Sequence, residues 1–179
     1  MRPPSLALRV ALLAAIGLAG CASMTEDQCR RADWFERGRR DGGQGEPSTY
    51  IDAHRQACAK AGVLPDGTRW LAGWQDGVRG YCTPRSAWDS GAANRSYQGA
   101  CRDLDEAAWL RWYRSGQDLY RTRRERDTAR SEIDKLERQL KKAEKDDERK
   151  QLREQIHKLD VEHARLRRLA QTLESAAPR

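Results

Sequence analysis

The chain has 179 residues, a formal charge of +7, and 34% of its residues charged. That length fits one modest domain plus an extension, not a string of domains. The basic excess is mild and suits lipid head groups, anionic wall polymer or a plain charged helical surface; nucleic acid is a poor partner for the exported chain described next.

Met1, Arg2 and a second cation at Arg9 precede an apolar run from Val10 to Leu18. That run is about half of the ~20 residues a spanning helix needs. A short basic region, a short apolar core and small residues before a cut describe a secretory signal, residues 1–20. The cut site reads Leu18-Ala19-Gly20-Cys21 and resembles the bacterial lipobox. In such proteins the cysteine thiol receives diacylglycerol, the signal is removed and the new amine is acylated. The expectation is a lipid anchor on Cys21, since two or more acyl chains hold a protein stably at a bilayer. Ala22 stands where Asp is the usual inner-membrane retention signal, which points to the outer membrane facing the periplasm. Arg2 and Arg9 leave with the signal, lowering the formal charge from +7 to +5.

Four cysteines remain: Cys29, Cys58, Cys82 and Cys101. An even count in an oxidising compartment predicts two disulfides. Zinc, with His54 as an added ligand, is disfavoured because the paired C-x₂₋₄-C spacing is absent. No metal and no cofactor is expected.

Composition changes near residue 104. The predicted order is a short lipidated tether (21–28), a Gly/Trp/Cys-rich domain (25–103), a charged helical arm (104–174) and a disordered tail (175–179). The fold class is mainly α: a small disulfide-stapled helical domain followed by a charged helical hairpin.

The domain carries an internal echo. Gly38-x-x-Asp41-Gly42-x-x-Gly45 follows Trp34, and Gly73-x-x-Asp76-Gly77-x-x-Gly80 follows Trp70. A weaker copy runs from Trp88 through Gly91, and a fainter one includes Tyr113 and Gly116. The i, i+4, i+7 spacing puts each set of glycines on one helix face. Each glycine costs a helix about 1 kcal/mol relative to alanine, so close packing against a neighbour must offset it. Turns at each Asp-Gly are the competing reading.

Asp41 and Asp76 are the carboxylates to consider for catalysis, but no acid–base pair, nucleophile or metal set accompanies them. No catalytic residue is assigned, His54 reads as a satisfied structural histidine, and the chain is expected not to be an enzyme. Trp34, Trp70, Trp74 and Trp88 read first as core; stacking on sugar rings is the alternative.

Four antiparallel helices near 30–45, 49–61, 67–80 and 86–98 would put Cys29, Cys58 and Cys101 at one end and Cys82 at the other. A 12-residue helix spans about 18 Å, and bridged Cα atoms lie within about 7 Å. One segment therefore cannot be a through-going helix, and the Gly/Ser/Asn-rich stretch 90–99 is the candidate. The pairing itself stays open.

From Glu106 onward the apolar spacing is helical: Leu119, Ile133, Leu136 and Leu140, then Leu152, Ile156, Leu159, Leu166 and Leu173. The two sets differ in heptad phase. Lys141, Lys142 and Lys145 precede Asp146, Asp147 and Glu148, as cations suit a helix end and anions a helix start. Folding back about residue 146 aligns the leucines of the two halves. A single long coiled-coil helix is the alternative.

Taken together, these residues resemble a family of small proteobacterial envelope lipoproteins of unknown function. The likeness rests on the lipobox, Cys29, Trp34, Gly38–Gly45, His54 with Cys58, Gly73–Cys82, Gly91, Tyr97, Cys101, Tyr113 and Gly116. Trp70 stands where the resemblance leads one to expect tyrosine. It implies location and architecture, with no activity to carry over. The expected role is a non-enzymatic interaction or structural protein, held to a membrane by lipid, whose arm meets an envelope protein. Peptidoglycan or glycan binding is the first alternative and an envelope hydrolase the second.

Overall fold

A computed structural model describes residues 22–179. Cys21 and the signal segment lie outside the described residues, so the lipobox of Leu18, Ala19, Gly20 and Cys21 has no structural account. The described chain is helical, and none of those residues is in a strand. The helices are α1 (Glu26–Arg30), α2 (Trp34–Gln44), α3 (Ile51–Ala59), α4 (Gly67–Tyr81), α5 (Pro84–Ala92), α6 (Glu106–Lys142) and α7 (Asp146–Ser175), with a 3₁₀ turn at Ser48–Tyr50 before α3. Several of their starts follow from capping chemistry. The side chains of Asp33, Asp66, Thr83 and Asp105 accept hydrogen bonds from the first free N–H groups of α2, α4, α5 and α6. Pro84 follows Thr83 at the first turn of α5, where its missing N–H costs nothing.

Helices α2 and α4 carry the two strong echoes and pack on each other through them. A Cβ added at Gly38 would strike the Trp70 carbonyl and sit 2.8 Å from the Trp74 nitrogen. One at Gly73 would strike the Phe35 carbonyl and sit 3.0 Å from the Arg39 nitrogen. One turn on, Gly42 meets Trp74 and Val78, while Gly77 meets Arg39 and Gly43. The two copies are thus related by an approximate two-fold, each presenting glycine to the other's main chain.

Helices α5 and α6 repeat the device. Gly91 lies on the Tyr113 carbonyl and the Gln117 nitrogen, and Gly116 on the Trp88 carbonyl and the Ala92 nitrogen. All four helices share an aromatic-x-x-Gly unit: Phe35/Gly38, Trp70/Gly73, Trp88/Gly91 and Tyr113/Gly116. In each pair the glycine rests on the carbonyl of the partner's aromatic residue. Removing Cβ lets the backbones approach, and the resulting dispersion and Cα–H···O attraction offsets the helix cost of glycine.

Two expected packing positions behave otherwise. Gly45 ends α2 in the left-handed region (φ 82°), with Glu46 N–H donating to the Asp41 carbonyl and the Tyr81 ring over its Cα. Only glycine tolerates that turn beside a ring. A Cβ on Gly80 would meet nothing within 4 Å. Helical spacing put it on the packed face, but the contact between α2 and α4 does not extend to that turn.

The disulfides are Cys29–Cys58 and Cys82–Cys101, with Cα–Cα distances of 5.5 and 5.6 Å. The first joins α1 to α3. The second is possible because the expected helix over 86–98 is shorter than it reads. Helix α5 stops at Ala92, Asn94 turns with φ 51°, and the following loop returns Cys101 to the end of α4.

Packing runs across the composition shift near residue 104. Trp109 is buried with Ala87 and Cys101, and Gly116 is half of the second crossing, so the start of α6 belongs to the domain. The composition shift marks where charge begins, not where packing ends. Beyond it, α6 and α7 form an antiparallel hairpin, and a single long helix is excluded. Leu136, Leu140 and Ala143 meet Leu152, Ile156 and Leu159 near the tip. Trp88, Leu119, Ala170 and Leu173 join the open end to the domain. The turn centres nearer residue 144 than 146. Ala143 and Lys145 are both extended (ψ 128° and 134°), which any L-residue adopts, so no glycine or proline marks it. Both end segments make contacts with the folded part. Ala177 of the supposed tail packs on the Trp88–Leu119 cluster. The supposed tether is folded from Ser23 onward, because Met24 is buried in the core and Thr25 caps α1.

Candidate functional site

Helix α3 lies beside the α2–α4 pair and brings Ile51, His54 and Cys58 inward, three to four residues apart on one face. His54 is fully buried. Its Nε2 lies 2.8 Å from Asp41 Oδ2, and Trp70 Nε1 donates to the same oxygen at 2.9 Å. On the far side of the ring, Ser23 Oγ lies 2.9 Å from His54 Nδ1. The rings of Trp34, Tyr50 and Trp70 wall the imidazole at centroid distances of 6.2, 5.1 and 6.4 Å.

A serine, a histidine and an aspartate in sequence are the parts of an acyl-transfer triad. Here the imidazole is fully buried, while Ser23 is half-buried at the rim of an open groove. No buried side-chain polar atom among the described residues lacks a partner. The hydrogen-bond chain ties Ser23 to the centre of the domain. Neighbouring groups register the same burial. Glu46 is raised from the ordinary carboxylate range by desolvation and by Asp41, and Tyr50 is raised mainly by desolvation.

Asp76, the counterpart of Asp41, is exposed near Arg39, so the two aspartates do not converge. Helix α3 covers only one flank of the two-fold pair, which is why equivalent residues meet different surroundings. The tryptophans are core: Trp34, Trp70, Trp74 and Trp88 are each 9% exposed or less. Trp74 Nε1 donates to the Glu46 carbonyl. No sugar ring could stack on these faces as they stand.

A second aromatic cluster surrounds the other disulfide. Trp109 stacks with Tyr81, Tyr97 and Tyr113 at 5.5, 4.2 and 5.1 Å. Tyr97 Oη donates to Glu106 at 2.8 Å and accepts from Cys101 N–H. Burial, then the bond to Glu106, pushes the Tyr97 phenol up to about 12.

The pattern of aromatic, glycine and aspartate now has a match. A DUF2799 domain spans residues 33–118. The family is described as a protein of unknown function. No curated protein and no solved structure matches the chain. The DUF2799 span contains both glycine crossings, Asp41, His54 and Trp70, and ends inside α6 just after Gly116. Ser23, Cys29 and the hairpin lie outside it. The sequence singles out Asp41 and His54 but not their pairing, nor the roles of Ser23 and Trp70. The signal for the pairing is the four-residue step from His54 to Cys58, which commits both to one inward face.

Proposed function

We propose that this is an exported envelope lipoprotein, cut before Cys21, held to the outer membrane by lipid on that residue, and acting as a non-enzymatic interaction or structural protein through its helical arm. The observation that carries the reading is the use of cysteine. Cys29, Cys58, Cys82 and Cys101 all pair within the domain, which suits an oxidising compartment and leaves Cys21, in its lipobox, as the odd one. No helix of the described residues is long and apolar enough to cross a membrane. The full burial of His54 between Asp41 and Ser23 supports a structural role for this cluster. The arm supports a protein partner: its two helices extend from the domain with their outer faces in solvent.

Mass spectrometry of the protein from membranes tests the anchor. The expected N-terminal peptide begins at Cys21 and carries diacylglyceryl and an amide-linked acyl chain, and Cys21→Ser moves the protein out of the membrane fraction. An unmodified Cys21 peptide sinks the reading. In-cell crosslinking from α6 and α7 is expected to capture an envelope protein. Retention on purified peptidoglycan at physiological salt would instead favour wall binding.

A further inference from the structure

We infer that the outer face of α3 and the turn after it form a membrane-contact surface that seats the domain directly on the bilayer beside its anchor. The inference rests on the proposed lipidation of Cys21 and adds an orientation to it.

Ala22 and Ser23 line an open groove with Tyr50, Ala53, Gln56, Ala57 and Lys60. Tyr50, Ala53, Ala57 and Lys60 are three or four apart, and Gln56 adjoins them, so the five share one face of the helix. The stripe is an aromatic ring, two methyl groups and a neutral amide ending in a cation. Asp52 and Arg55 lie off it and pair with each other at 2.6 Å. Lys60 makes no ion pair among the described residues, in contrast to Arg30, Arg31 and Arg55 nearby in the chain. Its exposed ammonium is free for an anionic head group, an attraction worth about 1 kcal/mol near a charged leaflet.

Past Lys60 the chain reads Ala61-Gly62-Val63-Leu64-Pro65, a run without charge in a protein with 34% charged residues. Gly62, with φ 67°, makes a tight helix-ending turn. Its N–H donates to the Ala59 carbonyl, and Val63 N–H donates to the Cys58 carbonyl. Ala61 and Val63 pack inward on the core, while Leu64 is thrown outward and is 83% exposed. The other exposed large hydrophobics, such as Val161 at 58% and Leu104 at 46%, are less exposed. A leucine held in water by a hydrogen-bonded turn beside a disulfide is suited to insertion at an interface, because little conformational entropy remains to be lost on docking.

Chain length fixes the occupant. Ser23 is held by His54, and Met24 is buried. Only two steps separate Ser23 from Cys21, a reach of about 7 Å. Lipid on Cys21 would therefore emerge at the α3 groove, and the bilayer must lie against this face rather than at the end of a loose tether. A glycan or protein partner would have to displace membrane held there by the anchor.

Site-directed photocrosslinking on the lipidated, membrane-inserted protein tests this. Leu64→p-benzoylphenylalanine is tolerated by an exposed site. It is expected to give phospholipid adducts several-fold above the same residue at Val161 or Leu104. Lys60→Glu is expected to lower that yield several-fold in phosphatidylglycerol-containing proteoliposomes. A chain with lipid on Cys21 but no lipid adduct at position 64 overturns the inference and leaves the anchor standing. Adducts to protein alone at that position do the same. A chain without lipid on Cys21 overturns the anchor and the inference together.

Discussion

The domain and the arm are both helical, yet they are held together by different physics. In the domain, glycine removes side chains so that main chain meets main chain at two crossings. Tryptophans fill the space beside these crossings, and disulfides close the ends. In the arm, side chains are kept and a narrow apolar seam joins two long charged helices. A crossing built on backbone contact has no rotamer to adjust, whereas a leucine seam can shift to accommodate change. The domain should therefore be brittle and the arm forgiving.

The largest expected break is at the first crossing. A Cβ at Gly42 would lie 2.9 Å from the Val78 nitrogen and closer still to the Trp74 carbonyl. Gly42→Val adds branching there and is expected to destabilise the domain by about 4 kcal/mol or more. Near-UV circular dichroism from the buried tryptophans should collapse, while α6 and α7 retain part of the far-UV helical signal. An unchanged Tm with full near-UV intensity would show that the crossing is softer than its geometry implies.

Next come the disulfides. They close separations of 29 and 19 residues. Chain-entropy estimates give about 3–4 kcal/mol for each. Replacing Cys29 and Cys58 together by serine should lower Tm steeply and expose Met24 and α1 to proteolysis. The arm holds neither bridge, so amide exchange around Leu152 should change little. Equal loss of protection at Leu152 would mean that domain and arm unfold as one unit.

How much of this was readable differs between the two regions. The arm was legible because its determinants are local. Leucine spacing, the phase slip and the change from lysine to aspartate specify two helices and a turn, and only the turn's centre was displaced. The glycine pattern was legible as close packing, since three glycines on one face require it. Which glycines touch was not, because the extent of the contact between α2 and α4 decides, and it leaves out Gly80 while Gly45 serves as a cap. The cysteine count showed that pairs form, but the partner of Cys82 depended on where α5 stops. Asp41 illustrates the harder case. Its echo, Asp76, has the same glycine spacing, yet only Asp41 meets His54, because α3 covers one flank of the two-fold pair. Only Asp41 meets an indole N–H, because Phe35 stands where the other copy has Trp70. A repeat in sequence carries no information about a third element that breaks its symmetry.

In the arm, Leu136 is buried at the seam. Leu136→Ala is expected to cost about 2–3 kcal/mol. The loss should appear as faster amide exchange at the hairpin tip, with near-UV tryptophan signals retained. If the domain's tryptophan signals fell in parallel, the contrast between brittle and forgiving regions would be lost.

The smallest effect is the sharpest test, because its sign reverses within one motif. Gly77 and Gly80 lie on the same helix and in the same echo. A Cβ at Gly77 would enter the Arg39 main chain, whereas one at Gly80 would meet nothing. Gly77→Ala should therefore destabilise. Gly80→Ala should stabilise by about 0.5–1 kcal/mol, since alanine restricts the unfolded chain and favours helix. Urea denaturation of the two variants against the parent measures both. If both destabilise, Gly80 has a contact that emerges only in solution or with a partner. If both stabilise, α2 and α4 can separate by the width of a methyl group, and glycine at the crossing is a convenience rather than a requirement.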